Sequence, residues 1–385
     1  MARVIQCEGT RYILKRWQSL VLGVIISVVS LAYAVHGVPL DTLWAEFAHA
    51  RYIYLPLALA LVVLALVLRA LRWRALLGGR IALRHSFHIL NIGYFFGSFL
   101  PFRLGDVARV YLATQVTPPV SVFTTLSTLI VERLTDIVAV VLMVVVAVSI
   151  APVAPSVSAA AQASGVLAIV GLLTLSFLAR WRGLAQRLLS ATAGRFRPVA
   201  RLNPALMLDR LLDGLAPIGT LRGLGTALGW SGAIWIVSIA EGFVLMAMLY
   251  DPPSLDGTLL MIAMGALAVA LPAVPGNIGP FEAAVISGLA LAGMITPDSP
   301  ELRARALAYA VIVHVVNSGM YAVCGWIGLT QEKVGPGQLI RAAQALTRRT
   351  AASPAPVSPA EVAVSNAPAE RRSAIDAPDV LLTRP

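Results

Sequence analysis

Residues 271–282 read Leu-Pro-Ala-Val-Pro-Gly-Asn-Ile-Gly-Pro-Phe-Glu, and they interrupt an apolar region at 258–295. Proline removes a backbone hydrogen-bond donor and ends helices, and glycine loosens them. Inside a lipid bilayer such a break persists only where protein or trapped water satisfies the freed backbone groups. We therefore expect residues 258–296 to form a re-entrant or broken helix pair rather than a simple membrane span.

The composition of the whole chain places this stretch in a membrane protein. Of its 385 residues, 58% are hydrophobic and only 13% are charged, whereas a soluble domain has about 25% charged residues. These values exclude an ordinary cytosolic enzyme, a secreted disulfide scaffold and a disordered hub. The net charge of +11 does not indicate a nucleic-acid partner, because the arginines flank apolar runs instead of forming a basic groove.

Several other apolar runs approach the length of about 20 residues that a spanning helix needs. They lie at 18–36, 52–70, 137–150 with an upstream extension to about 120, 163–179, 226–250 and 306–329. The apolar run at 85–101 is different, because Pro101 and then several charged residues interrupt it. We expect 85–118 to form a second broken helix pair.

The distribution of basic residues sets the expected orientation. The N-terminus, the segments 69–84 and 180–222 and the C-terminal flank are rich in arginine, so we expect them in the cytoplasm. The number of membrane crossings agrees with these assignments only if 85–118 returns to the cytoplasmic side and 258–296 returns to the outer side. This scheme places Arg303 and Arg305 on the outer side, although basic residues generally favour the cytoplasmic side.

The predicted fold is all-α, a polytopic transmembrane helical bundle of about six full spans plus two oppositely oriented re-entrant pairs. The predicted domains are a cytoplasmic N-terminus at 1–17, a membrane domain at 18–330 and a disordered cytoplasmic tail at 331–385. Residues 183–222 form either an amphipathic cytoplasmic segment or a solvated loop.

The first charged cluster follows Pro101 and consists of Arg103, Asp106 and Arg109. If a helix restarts there, these residues share one face because they are three apart. One carboxylate between two guanidinium groups leaves a net positive charge, which a head-group phosphate would neutralise. The alternative is an internal salt-bridge cluster that holds the kink.

The second cluster, Glu132, Arg133 and Asp136, has the opposite charge balance and lies in the long apolar stretch 120–150. We expect it to dock against the first cluster, balancing and positioning its charges. The alternative is that 119–136 lies partly outside the membrane with these charges solvated.

The third cluster lies within residues 271–282 and combines helix-breaking residues with a carboxylate: Pro272, Pro275, Gly276, Gly279 and Glu282. Glu282 falls on the first turn of the next half-helix, where the positive end of the helix dipole favours a carboxylate. It is either a simple N-terminal cap or a gating or proton-coupled group.

Other polar residues support narrower expectations. Glu241 either lines a cavity or binds a neighbouring helix, and His314 and Asn317 are expected to make interhelical hydrogen bonds. Tryptophans near predicted span ends are expected to act as interface anchors; they are Trp17, Trp44, Trp73 and Trp181. No metal-ligand spacing or phosphate-binding glycine loop is present, so we expect no metal and no cofactor.

With these clusters in place, the chain resembles the lysylphosphatidylglycerol synthase transmembrane-region family of flippase-like proteins, over roughly residues 15–330. The motif Pro-x-Arg-x-Gly-Glu-x-x-Arg matches at 101–109 with Asp106 in place of glutamate. Glu-Arg-x-x-Asp matches at 132–136, and Leu-Pro-x-x-Pro-Gly-x-x-Gly-x-x-Glu matches at 271–282.

The resemblance implies a lipid-related function. In bifunctional family members a soluble domain transfers lysine to phosphatidylglycerol, and the membrane part moves the product between leaflets. Only the tail follows residue 330 here, so we expect no aminoacyl transfer. The leading hypothesis is a bacterial inner-membrane protein that translocates a phospholipid or a lipid-linked head group. The alternatives are an intramembrane lipid-modifying transferase and a non-catalytic membrane partner of a lipid or glycosyl transferase.

Overall fold

A computed structural model describes residues 21–100, 104–150, 218–268, 275–296 and 299–335, with scattered positions at 163–187, 215, 337–339 and 341. The chain divides into two units, 1–339 and 340–385, and all the elements below belong to the first. The predicted N-terminus at 1–17 lies outside the described residues. So do most of the segment 183–222 and most of the tail.

The described elements are helices, with no strand among them. They are α1 (Val21–Val35), α2 (Leu40–His49), α3 (Leu55–Leu76), α4 (Leu83–Phe99), α5 (Leu104–Ala113), α6 (Val122–Ile150), α7 (Leu221–Met246), α8 (Leu255–Ala268), α9 (Pro280–Leu291) and α10 (Pro300–Gln331). Short 3-10 turns lie at Tyr52–Tyr54 and Pro275–Asn277. The predicted all-α class is confirmed.

Four of these helices are long and apolar enough to cross a membrane: α3 with its preceding turn, α6, α7 and α10. Helices α1 and α2 together have sufficient length and hydropathy but are bent by 78°. These elements coincide with the predicted spans at 18–36, 52–70, 120–150, 226–250 and 306–329. The predicted span at 163–179 lies largely outside the described residues. The chain is a multi-pass membrane protein, as predicted.

Helices α4 and α5 form a hairpin that enters the bundle beside the C-terminal end of α10. At the start of α4, His85 Nδ1 lies 2.9 Å from a carboxylate oxygen of Glu332. After α5, the Val120 amide donates to the Ala113 carbonyl, and both residues belong to an apolar cluster that includes Leu329 of α10. With 17 residues, α4 is about 25 Å long and is shorter than a full span. The hairpin therefore enters and returns at the same end.

Helices α8 and α9 form a second hairpin at the opposite end of α10. A Cβ atom at Gly257, in the first turn of α8, would lie 2.3 Å from the sulfur of Met294, which follows α9. The start of α8 and the end of α9 are therefore side by side. Leu289 of α9 packs in an apolar cluster with Leu307 and Tyr309, from the N-terminal half of α10.

The two hairpins meet at their tips. A Cβ atom at Gly276, in the turn between α8 and α9, would lie 3.9 Å from the carbonyl oxygen of Ser98, near the end of α4. Two broken helix pairs of opposite orientation thus converge inside the bundle, as the sequence predicted.

Arg303 and Arg305, which the topology scheme placed on the outer side, lie near the N-terminal end of α10 and have partners there. Arg305 Nε donates to Glu46 of α2 at 2.9 Å, and Arg303 donates to the Tyr33 carbonyl of α1 at 2.5 Å. Both cations have partners from the α1–α2 segment.

Candidate functional site: buried ion pairs beside the helix breaks

The first and second charged clusters dock through Arg109 and Glu132. The guanidinium group donates to both carboxylate oxygens, at 3.0 and 3.1 Å, and the two side chains are only 4% and 7% exposed. This bidentate geometry is the strongest form of a charge-assisted hydrogen bond. The pair joins α5 of the first hairpin to the spanning helix α6.

Two glycines bring α5 close enough to α4 for this contact. A Cβ atom at Gly105 would lie 2.0 Å from the Gly93 carbonyl oxygen, and one at Gly93 would lie 2.5 Å from Cγ of Arg109. Neither position has space for a side chain. The motif glycine at 105 is therefore required by helix packing.

The guanidinium group of Arg109 also stacks on Trp73 of α3, with 4.7 Å between its central carbon and the ring centroid. The indole nitrogen of Trp73 donates to Thr128 Oγ1 at 3.1 Å, and the tryptophan is fully buried. The expectation that Trp73 is an interface anchor is wrong. Its ring instead holds Arg109 inside the bundle.

A second contact between the clusters joins Arg133 and Asp106, whose nearest atoms are 3.7 Å apart. These side chains are 56% and 32% exposed, so this pair is longer and more accessible than the pair of Arg109 and Glu132. The predicted docking of the two clusters is confirmed by both contacts. Arg103 and Pro101 lie outside the described residues.

Asp136 binds Arg72 of α3, a partner that sequence reasoning missed. The two hydrogen bonds are 2.6 and 3.3 Å long, and Arg72 also donates to Ser231 of α7 at 2.9 Å. Arg72 is 2% exposed, so its guanidinium group lies inside the bundle. This arginine ties α3, α6 and α7 together.

Arg69 lies one helical turn before Arg72, within α3. Its guanidinium carbon is 6.0 Å from the ring centroid of Tyr94. Among the described residues it makes no ion pair within 4.0 Å. A cation inside a spanning helix is costly, so it indicates either a polar cavity or a function.

In the third cluster, Glu282 binds two partners. Its carboxylate accepts from the Gly279 amide at 2.7 Å, and its other oxygen lies 2.5 Å from His314 Nδ1 of α10. The simple-cap interpretation is therefore incomplete, because the same side chain also joins α9 to α10. Pro275 begins the turn before it, and Pro272 lies outside the described residues.

Glycine is required in this turn for conformational reasons. Gly276 and Gly279 have φ angles of +84° and +97°, in a region that favours glycine. A Cβ atom at Gly279 would also lie 2.3 Å from the Ser27 carbonyl oxygen of α1. The turn is thus held against both α1 and α4.

A further polar contact lies one turn along α10. Asn317 donates to Glu241 of α7 at 2.8 Å, and the Tyr321 hydroxyl donates to Asn317 Oδ1 at 3.5 Å. The predicted interhelical hydrogen bonds of His314 and Asn317 are confirmed, as is the binding of Glu241 to a neighbouring helix. Spacings of three and four residues place His314, Asn317 and Tyr321 on one face of α10.

These contacts show which residues the fold brings together. Six residues form three ion pairs, Arg109–Glu132, Arg133–Asp106 and the missed Arg72–Asp136, and each pair has one partner on α6. We refer to these three pairs as the ion-pair network. Glu282 belongs to a separate contact with α10. In the described part of the chain, no group of His, Cys, Asp and Glu side chains is suited to hold a metal ion.

Comparison with known proteins identifies the family. The family model described as "Lysylphosphatidylglycerol synthase TM region" matches residues 20–325. The chain belongs to this family. The matched region of this family member contains both hairpins and all the side-chain contacts of the candidate site.

One relative of this family member is named glycosyltransferase AglD, from Haloferax volcanii. The two are 29% identical over 171 residues, which cover 43% of this chain and 26% of the relative. The chain thus spans about a quarter of that protein's length. No solved structure matches the chain. The family and this relative together support a lipid-related function in the membrane.

Proposed function

We propose that this protein translocates a phospholipid or a lipid-linked head group between the leaflets of the bacterial inner membrane, with both termini in the cytoplasm. The observation that carries the proposal is the meeting of two helix breaks, at Ser98 and Gly276, beside buried ion pairs. A head group that crosses about 30 Å of hydrocarbon needs polar groups along its path. Broken helices that meet from opposite ends supply such groups near the middle.

The first cluster supplies the proposed head-group contacts, through Arg103, Asp106 and Arg109. The pair of Asp106 and Arg133 is the most suitable opening, because its atoms are 3.7 Å apart and its side chains are partly exposed. A head-group phosphate can enter between them and contact Arg133, since guanidinium binds phosphate as well as carboxylate, while Asp106 remains beside it as a hydrogen-bond acceptor. In this scheme Glu132, Arg133 and Asp136 position the arginines and balance their charge.

The turn between α8 and α9 is the proposed gate, formed by Pro272, Pro275, Gly276, Gly279 and Glu282. Glu282 holds the start of α9 and also contacts His314 of α10. Loss of the His314 contact would free α9 to move relative to α10. That movement would open the meeting point of the two tips to the far leaflet.

Reconstitution into liposomes tests the proposal. Fluorescent phosphatidylglycerol in the inner leaflet becomes accessible to a membrane-impermeant quencher only after it crosses the bilayer. We expect the parent protein to accelerate this movement, and we expect Asp106→Asn and Glu282→Gln to slow it at least about tenfold, which is the effect of about 1.4 kcal/mol on a barrier. The matched control is Asp251→Asn, which removes a carboxylate that is 78% exposed and lies outside the network. The proposal fails if the parent moves no lipid, or if Asp106→Asn and Glu282→Gln move lipid as fast as the control.

The relative named as a glycosyltransferase favours a second candidate function. In this alternative the chain is a non-catalytic membrane partner of a glycosyl or other lipid-modifying transferase. It predicts that a transferase co-purifies in a stable complex, and that the isolated chain moves no lipid. Mass spectrometry of the cell's lipids adds a further distinction, because a new lipid species that depends on Glu282 would indicate an intramembrane enzyme instead.

A further inference from the structure

An open cleft of about 390 Å³ lies between the C-terminal end of α3 and the first turns of α7. Arg72 and Leu76 line one wall, and Arg222, Ala227 and Trp230 line the other. This cleft is separate from the meeting point of the two hairpins. It opens at the end of the bundle where α3 ends and α7 begins, which the arginine distribution assigns to the cytoplasmic side.

The cleft is electropositive. Among the described residues that line it, none is acidic, and two are arginines. The guanidinium group of the exposed Arg222 makes no hydrogen bond or ion pair within the part of the chain that the structure describes, and only its backbone carbonyl accepts a side-chain hydrogen bond, from Thr226 Oγ1. The cleft therefore offers a cation to which the described residues supply no counter-charge.

Arg72, the second arginine of the cleft, has one nitrogen donor without a hydrogen-bond partner among the described residues. Arg72 is 2% exposed and uses its two terminal nitrogens on Asp136 and Ser231, but its buried Nε has no hydrogen-bond partner. A buried donor without a partner is costly, and such a group in a native structure calls for an explanation. Arg72 lines the cleft, so an anion that enters past its guanidinium group can accept from this nitrogen.

Helix α7 adds a third favourable feature at the same place. Thr220 caps the helix by accepting from the Gly223 amide at 3.1 Å, and both residues line the cleft. The positive end of the helix dipole therefore faces the same space as the two arginines, and helix N-termini bind phosphate groups well.

We infer that this cleft binds the phosphate group of an anionic phospholipid from the leaflet at this end of the bundle. The apolar side chains of Leu76, Ala227 and Trp230 favour a lipid over a free anion, because they offer contacts to the glycerol and acyl carbons. The inference rests on the proposed lipid function and adds to it a loading site. Arg72 lines this site and pairs with Asp136 of α6, the helix that also carries Glu132 and Arg133.

Calorimetric titration of the full chain in detergent tests the inference, with dihexanoylphosphatidylglycerol as the soluble probe. Arg222→Gln should weaken binding about three- to fivefold, the effect of losing one partly exposed charge contact. Arg222→Lys keeps the charge and should bind within about twofold of the parent. The matched control is Arg84→Gln, an exposed arginine outside the cleft at the start of α4. This control should bind as the parent does.

Three results would overturn the inference. In the first, Arg222→Gln binds the probe as tightly as the parent. In the second, Arg84→Gln weakens binding as much as Arg222→Gln, which would indicate a general charge effect. In the third, inorganic phosphate binds as tightly as the lipid probe, which would assign the cleft to a free anion. The titration needs no lipid movement, so a chain that fails to transport can still bind the probe. A chain that transports without binding here refutes only the loading site.

Discussion

The contact between Arg109 and Glu132 makes a quantitative prediction about stability. Glu132→Gln leaves the Arg109 charge buried without a counter-charge, because the guanidinium is 4% exposed and, among the described residues, hydrogen-bonds only to this carboxylate. Breaking a buried ion pair by removing one partner costs about 3–5 kcal/mol. Glutamine retains one acceptor and the stacking on Trp73 remains, so we expect a loss near the lower limit, about 3 kcal/mol.

A double-mutant cycle isolates this interaction. Arg109→Gln should destabilise the protein by a similar amount, since it leaves Glu132 buried and unpaired. The double variant with glutamine at both positions should lose about 2 kcal/mol less than the sum of the single losses, because two amides can hydrogen-bond to each other.

Reversible unfolding in mixed detergent micelles, followed by tryptophan fluorescence, measures the three free energies of unfolding. The matched control, Asp251→Asn, removes an exposed ion pair with Arg51 and should cost less than about 1 kcal/mol. The reasoning is refuted if Glu132→Gln loses no more than this control, or if the single losses simply add in the double variant.

Two further predictions concern the glycines that allow close packing. Gly105→Ala should destabilise the protein by at least about 2–3 kcal/mol, because its methyl group would lie 2.0 Å from the Gly93 carbonyl oxygen. Gly97→Ala, in the same hairpin but with nothing within 4 Å of its Cβ position, should have little effect in the same unfolding assay. Gly279→Ala combines an unfavourable φ of +97° with a Cβ position 2.3 Å from a backbone oxygen of α1. It should therefore cost more than Gly293→Ala, which has a φ of +73° but open space and should lose about 1 kcal/mol. Equal losses within either pair would show that close contact is not what these positions require.

Local chemistry was sufficient to predict the helix breaks and the docking of the first two clusters. Prolines and glycines identify a break because they remove donors or permit positive φ angles, as Gly276 and Gly279 do. The opposite charge balance of the two clusters predicted that Arg109 would pair with Glu132, because an unpaired charge in an apolar interior is energetically costly.

The roles of Arg72 and Trp73 could not be predicted in the same way. An arginine and a tryptophan near the end of an apolar run are the usual signals of a membrane interface. Whether they point to lipid head groups or into the bundle depends on the rotation of α3, which its neighbours set. Asp136, the partner of Arg72, lies 64 residues away in the sequence, so no local pattern links the two. The signal that could have found Arg72 is its spacing of three from Arg69, within a helix that continues past the predicted end of the span.

The central claim, that two hairpins of opposite orientation meet at their tips, is tested most directly by cysteine cross-linking in native membranes. In a chain with alanine at Cys7 and Cys324, we expect Ser98→Cys and Asn277→Cys to cross-link rapidly with a short thiol-reactive reagent, since Ser98 lies beside the turn that contains Asn277. Ser98→Cys combined with Asp251→Cys should not cross-link, because Asp251 follows α7 outside both hairpins. Absence of the first cross-link, or equal cross-linking of the two pairs, would contradict the account.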